Sequence, residues 1–270
     1  MTAHEFTCLR FERHPGPTPG ADVVEVVIDR ADSALNAVNG QLHDDLTHLF
    51  PRLQAERDAR AVLLTGAGRA FSAGGDFDWF PTLADRRTLE HLRVDAKNLI
   101  YDLLDVHLPI VCALNGHAMG LGASVALLCD VIFMARSATI GDPHVRVGIV
   151  AGDGGTIAWP LAVGPVRAKQ YLLTGDPVPA EEAERIGLVN FVVDDEGVHD
   201  AALAFAQRLA AGAPLAVQYT KAAVNAALKA QAVQAFDQAA AFEIATFATE
   251  DHREAIAALH EKRAPRFVGR

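Results

Sequence analysis

Residues 109–130 read PIVCALNGHAMGLGASVALLCD, and the order of residue types in this stretch decides the fold class. It opens with an apolar run, 110–114, of the length of a buried strand. Gly116, Gly120 and Gly122 follow within seven positions, and then small and aliphatic residues, 123–128, that suit a buried helix. A strand that turns through glycines into an apolar helix leaves the first amides of that helix without intrahelical acceptors. Those N–H groups, with the positive end of the helix dipole, form a site for negative charge. In a buried helix that charge has to arrive with a ligand.

The same alternation extends to both sides. Residues 23–28 and 61–64 read as strands, and 41–58 has helical spacing with Leu42, Leu46, Phe50 and Leu53 on one side. Residues 68–80, GRAFSAGGDFDWF, are rich in glycine and lack a period, whereas 85–104 has the spacing and charge of a surface helix. Downstream, 131–134 and 138–140 read as short strands and 141–155, GDPHVRVGIVAGDGG, as a second polar, glycine-rich segment. One or two helices broken at Pro165 are expected over 156–173, then a helix over 180–185 and a strand over 188–193. The pattern argues for an α/β class with helices packed on a sheet. From Val198 onward alanine-rich helical patterns, broken at Pro214, replace strands. The chain is therefore divided into a core, 1–197, that carries the site and a helical C-terminal subdomain, 198–270.

A chain of 270 residues can bury about three quarters of its unfolded surface. With half its residues hydrophobic and a fifth charged it is not a disordered protein. A net charge of −10 gives no bulk attraction to nucleic acid or to an anionic membrane. Cys8, Cys112 and Cys129 are odd in number and lack CxxC spacing, which argues against a disulfide framework or a zinc site. The segment MTAHEFTCLRFERHPGP has no apolar core of leader length, and no stretch reaches the roughly 20 apolar residues that span a bilayer. The expectation is a soluble cytoplasmic protein.

The turn GAGRAF, 66–71, superficially matches a dinucleotide-binding turn, but the SAGGD that follows cannot start the helix such a turn needs. Taken together, GRAFSAGGD and NGHAMGLGASVALLCD resemble the crotonase superfamily, the enoyl-CoA hydratase and isomerase family. Leu35-Asn36-Ala37, the run AVLLTG and the terminal EDHREAIAALHEKRAPRFVGR agree with it. The resemblance implies a crotonase-like spiral of ββα units with a helical C-terminal trimerisation region. It also implies acyl-CoA thioester substrates and a homotrimer or dimer of trimers. In that family two backbone amides hold the thioester oxygen as it becomes an enolate, and they fall here on Gly75 and Leu121. Fixed backbone donors need no reorganisation when charge develops. Leu121 stands where the family has glycine. The loop 66–76 would cradle adenine and pantetheine, with Arg69, Ala70, Ser72 and Ala73 as contacts, and Arg69, Lys262 and Arg263 could meet phosphate. Phe77, Trp79 and Phe80 would line an acyl pocket. Asp76 is a substrate-loop residue whose bland reading is a cap for the next helix.

The departures from the family are more telling. Its hydratases use two glutamates, and the matching positions hold Ser124 and His144. A neutral hydroxyl is a weak base, so two-carboxylate hydration cannot operate as written. His144 and Asp153, nine positions apart, offer a replacement. The run HVRVGIVAGDGG resembles the family's β-diketone hydrolases, such as oxocamphor hydrolase, in which a histidine and an aspartate drive retro-Claisen cleavage. There an imidazole can act as base and then acid, with Asp153 fixing its tautomer, and Glu243 matches a further acidic residue. The competing reading makes His144 a solvated loop residue and Asp153 a helix cap. His43 and His117 lack metal-site spacing and are expected in packing or surface roles. The leading expectation is an acyl-CoA enzyme that stabilises an enolate, with His144 moving the proton. A CoA-independent β-diketone hydrolase and a non-catalytic paralogue are the alternatives. No metal or organic cofactor is implied, coenzyme A entering only as part of the substrate.

Overall fold

The apolar runs become a parallel sheet, and the glycine-rich stretches between them supply a second, smaller one. The computed structural model describes residues 4–83 and 85–270, so residues 1–3 of the segment examined for a leader lie outside the description. The strands are β1 (Leu9–His14), β2 (Asp22–Ile28), β3 (Ala59–Gly66), β4 (Ala70–Ser72) and β5 (Ile110–Leu114). They continue with β6 (His117–Met119), β7 (Val131–Ala135), β8 (Thr139–Gly141), β9 (Val178–Pro179) and β10 (Phe191–Val193). The large sheet runs β1-β2-β3-β5-β7-β10 and the small one β4-β6-β8-β9. β1 pairs antiparallel with β2 and β9 with β8, and the other pairings among the described residues are parallel.

Helices α1 (Gly40–Gln54), α2 (Arg86–Asp105), α3 (Leu121–Leu127), α4 (Gly155–Thr174) and α5 (Ala180–Arg185) cover this frame. The chain repeats one move: β3, β4, α2; then β5, β6, α3; then β7, β8, α4. Each repeat lays one strand in each sheet before its helix, which is the expected ββα spiral. The repetition gathers the loops around 66–76, 115–121 and 141–155 beside the small sheet. All five residues of β5 are buried, as a parallel strand covered on both faces requires.

Local chemistry fixes the helix ends. Asn39 Oδ1 accepts from Leu42 N at 2.9 Å to start α1. Asp85 Oδ1 accepts from Arg87 N and Thr88 N at 3.0 and 3.1 Å to start α2. Asp76 therefore caps no helix; its carboxylate takes Arg30 Nη1 at 2.6 Å and Asp78 N at 3.0 Å. α1 stops at Gln54 rather than Asp58 because Glu56 Oε1 gathers the amides of Arg57 and Asp58 into the turn that feeds β3. The kink expected at Pro165 is present one residue earlier, where Gly164 leaves helical geometry at φ 75°.

The C-terminal part is helical as expected: α6 (Val198–Ala210), α7 (Pro214–Phe247) and α8 (Glu250–His260). Pro214 sits in the first turn of α7, where its missing N–H costs nothing. α6 packs on β2, β3, β5 and β7, and α7 on α2 and α4. Cys8, Cys112 and Cys129 are free and buried. Among the described residues no helix is long and apolar enough to cross a membrane.

Candidate active site

Asn36 organises the first site loop. It adopts φ +49°, a conformation asparagine tolerates better than most residues. Its Oδ1 accepts from Arg30 N at 3.0 Å, and its Nδ2 donates to the carbonyls of Ala67 and Ala70 at 2.9 and 3.0 Å. Residues 35–38 and 73–76 then pair as a parallel ladder: Ala73 N to Leu35 O at 2.9 Å, Val38 N to Gly74 O at 2.7 Å, Asp76 N to Val38 O at 2.9 Å. Gly75 lies between the bonded residues, so its own N–H turns to the opposite side. On the second loop Gly120 N donates to Gly141 O at 3.0 Å, and Leu121 begins α3 with an amide that has no intrahelical acceptor. Gly75 and Leu121 line one cavity.

That cavity also holds the titrating groups. His144 stands on a short 3-10 turn, His144–Val147, after β8. Its Nδ1 shares a 2.5 Å hydrogen bond with Asp142 Oδ1, and its Nε2 lies 3.4 Å from Asp153 Oδ2. Glu243 reaches in from α7, and the donor atoms of His144, Asp153 and Glu243 lie within 4.8 Å of one another. His43, Trp79, Phe80, Leu89 and Phe247 are among the remaining walls, and the centre of a water-sized sphere can roam about 60 Å³ of the space.

Burial alone would push the His144 imidazole down, but Asp142 and Asp153 together outweigh it and hold the group well above the ordinary histidine value. Burial, seconded by the Asp153 charge, pushes the Glu243 carboxyl well above the usual range despite the opposing charge of His144. Burial pushes the His43 imidazole down. A divalent cation would need a neutral imidazole and ionised carboxylates. Any cation entering the cavity would have to displace the protons otherwise favoured at Glu243 and His144.

The structure brings together His144, Asp153, Gly75, Leu121, Trp79, Phe80 and Glu243, and leaves other expected residues apart. Ser124 is fully buried beneath Gly154, its Oγ without a partner among the described residues and outside the cavity lining. Ser72 Oγ is spent on Asn36 O at 2.8 Å, and Ala70 lies buried with it in β4. Ala73 serves the ladder through its amide. Phe77 is exposed and packs edge-on against Phe80 at 5.6 Å. Arg69 and Lys262 are exposed, while Arg263 is committed to Glu254 and Glu261, so it is not the free cation expected. Asp153 does not cap α4, whose cap position is Gly154. His43 is buried against Trp79, the packing role expected, and lines the cavity as well, whereas His117 stays exposed on Thr139. Asp142 went unread in the sequence, where an aspartate two residues before a histidine carries no periodic signal.

Comparison with known proteins agrees with the fold. The family model described as enoyl-CoA hydratase/isomerase matches residues 19–270. A probable enoyl-CoA hydratase of Mycobacterium bovis is 33% identical over 249 residues, 92% of this chain and 95% of the relative. An enoyl-CoA hydratase/isomerase crystal structure from Mycobacterium paratuberculosis superposes with a TM-score of 0.84 at 37% identity, covering 92% of this chain and 97% of its own. A β-diketone hydrolase of the cyanobacterium Anabaena, bound to (S)-3-oxocyclohexyl acetic acid, superposes with a TM-score of 0.82 at 29% identity, covering 89% and 94%.

Proposed function

Since this chain belongs to the enoyl-CoA hydratase/isomerase family, we propose that it forms a stabilised enolate by hydrolysing the bond that joins one carbonyl carbon of a 1,3-dicarbonyl compound to the carbon between the two carbonyls. The observation that carries this reading is the cavity itself. His144, Asp153 and Glu243 meet there, while the position of a hydratase's first glutamate, Ser124, is sealed away from it. The ligand bound to the Anabaena β-diketone hydrolase, an oxocyclohexyl acetic acid, is the kind of keto acid such a reaction yields.

In this reading His144, once it has lost its proton, takes one from a water held beside Asp153. The hydroxide adds to one carbonyl carbon. The bond from that carbon to the carbon between the carbonyls breaks, and its electron pair moves through that carbon to the second carbonyl oxygen. The amides of Gly75 and Leu121 hold this enolate oxygen. A proton from His144 or Glu243 then reaches the carbon, leaving a carboxylic acid and a ketone, with one water consumed. A base with raised proton affinity drives the first step strongly but is less often in its free form. The rate is therefore expected to climb with pH through a limb above the ordinary histidine range.

The test is a panel of cyclic 1,3-diketones and β-ketoacyl-CoA thioesters assayed for ring or chain cleavage. His144→Ala should lower turnover of the true substrate by about 10²–10⁴-fold, and unchanged turnover would remove His144 from the mechanism.

A second reading keeps the enolate but takes an acyl-CoA thioester without C–C cleavage. The 73–76 ladder and the exposed Arg69 and Lys262 favour it. Titration with acyl-CoAs separates the two: binding and His144-dependent turnover of acyl-CoAs, with diketones inert, would replace the first reading by the second. Either enzyme is expected to assemble as a homotrimer or dimer of trimers, which light scattering would check.

A further inference from the structure

We propose that Asp142 is the positioning residue of His144: it fixes the ring from Nδ1 and leaves Nε2 as the nitrogen that works in the cavity, beside Asp153. The inference rests on the cavity being the active site. The sequence expectation gave the orienting role to Asp153, and the geometry reassigns it.

Several observations converge on this. Asp142 is 1% exposed and follows β8 directly, so its carboxylate is held by the small sheet rather than by a free loop. One oxygen is spent on His144 Nδ1 at 2.5 Å, whereas Asp153 stands 3.4 Å from the opposite nitrogen. A hydrogen bond at Nδ1 settles which nitrogen faces the substrate, and a carboxylate there stabilises the imidazolium formed when the base takes its proton. The second Asp142 oxygen has no hydrogen-bond partner among the described residues. It lies against the start of α4, where a Cβ on Gly155 would come within 2.0 Å of it. Negative charge is favourable at that end of a helix. On the other side of the ring, a Cβ on Gly120 would come 3.2 Å from His144 Cε1. The imidazole is thus gripped between Asp142 and the turn that carries the Leu121 amide. Gly120 N to Gly141 O, at 3.0 Å, ties that turn to the strand before Asp142.

The charged and titrating groups around His144 are Asp142 at the end of β8, Asp153 ahead of α4 and Glu243 on α7. Arg93 on α2 and His43 on α1 line the same cavity. A measurement that needs no substrate separates their effects. In full-length protein with ¹⁵N-labelled histidine, NMR reads the His144 tautomer and titration midpoint in wild type, Asp142→Asn and Asp153→Asn. Asp142→Asn should move the midpoint down towards the ordinary histidine value, and the acidic limb of kcat/KM should move with it. kcat should fall at least 10-fold with KM within about threefold, an effect in the direction known for aspartate-to-asparagine changes behind a catalytic histidine. Gly155→Ala, whose Cβ cannot coexist with the carboxylate in its present place, should displace it from Nδ1 and shift the midpoint in the same direction, and it serves if Asp142→Asn does not fold. A midpoint and tautomer unmoved in both variants, but moved by Asp153→Asn, would overturn the proposal. A shifted midpoint with no turnover of any carbonyl compound would leave Asp142 as the orienting group and remove the reaction instead.

Discussion

Glu243 shows how little of a residue's chemistry is contained in its name. On an exposed helix face it would be an ordinary carboxylate; here burial and the Asp153 charge raise its proton affinity well above the ordinary value of 4.5. The sign of the consequence follows from proton counting. Between the ordinary value and the raised folded one, the folded chain holds a proton that the unfolded chain has shed, so stability falls as pH rises through that window. Glu243→Gln removes the titration and keeps the shape. Thermal melts from about pH 5 to about pH 8 should find the variant gaining on wild type as pH rises, and a constant difference would mean that Glu243 ionises freely. Turnover should fall in the same variant, since an amide cannot hand a proton to carbon. His144 and Asp153 were legible as candidates because one loop carries both. Glu243 was legible only by resemblance, and Asp142 not at all, since its partner is chosen by the backbone turn between them.

The elements read best were those with a strong apolar signal: α1, α2, the strands of the large sheet after β1 and the C-terminal helices. What escaped were β4 and β6, three residues each, inside glycine-rich stretches without alternation, and the two-residue β9. β1 escaped too, its charges being those of a solvated edge. These short strands complete the second sheet, so their absence from the sequence reading hid why three loops meet. The turn from β6 into α3 offers a test. Gly120 sits at φ +52°, a region in which a side chain costs about 1–3 kcal/mol. Its missing Cβ also leaves room for the His144 ring. Gly120→Ala should therefore lose stability by about that amount in denaturant melts. Turnover measured well below the melting range should fall by 10-fold or more, because the ring is displaced. Full turnover in a destabilised variant would show that the turn is strained without positioning the base.

At the scale of the whole molecule, the question is whether 1–197 and 198–270 are separable units. The composition shift at Val198 suggested a boundary, yet α6 lies directly on the large sheet and α7 carries Glu243 into the cavity. A buried charge joins the two parts. Lys221, on α7, donates to Leu108 O at 2.8 Å and lies 2.7 Å from Asp130 Oδ2. That same carboxylate oxygen accepts Ile110 N at 2.7 Å, at the start of the strand on which the fold is built. Replacing one partner leaves the other with its desolvation uncompensated, which for buried pairs costs about 3–5 kcal/mol. Asp130 retains some exposure and the Ile110 amide, so Lys221→Met should cost nearer the lower end. If the helical region is an integral part of one cooperative unit, calorimetry should show a single transition that moves to lower temperature as a whole in the variant. Two transitions, with only the weaker one displaced, would mean that the C-terminal helices unfold on their own. Glu243 would then leave the cavity before the core melts, and activity would be lost at the first transition rather than the second.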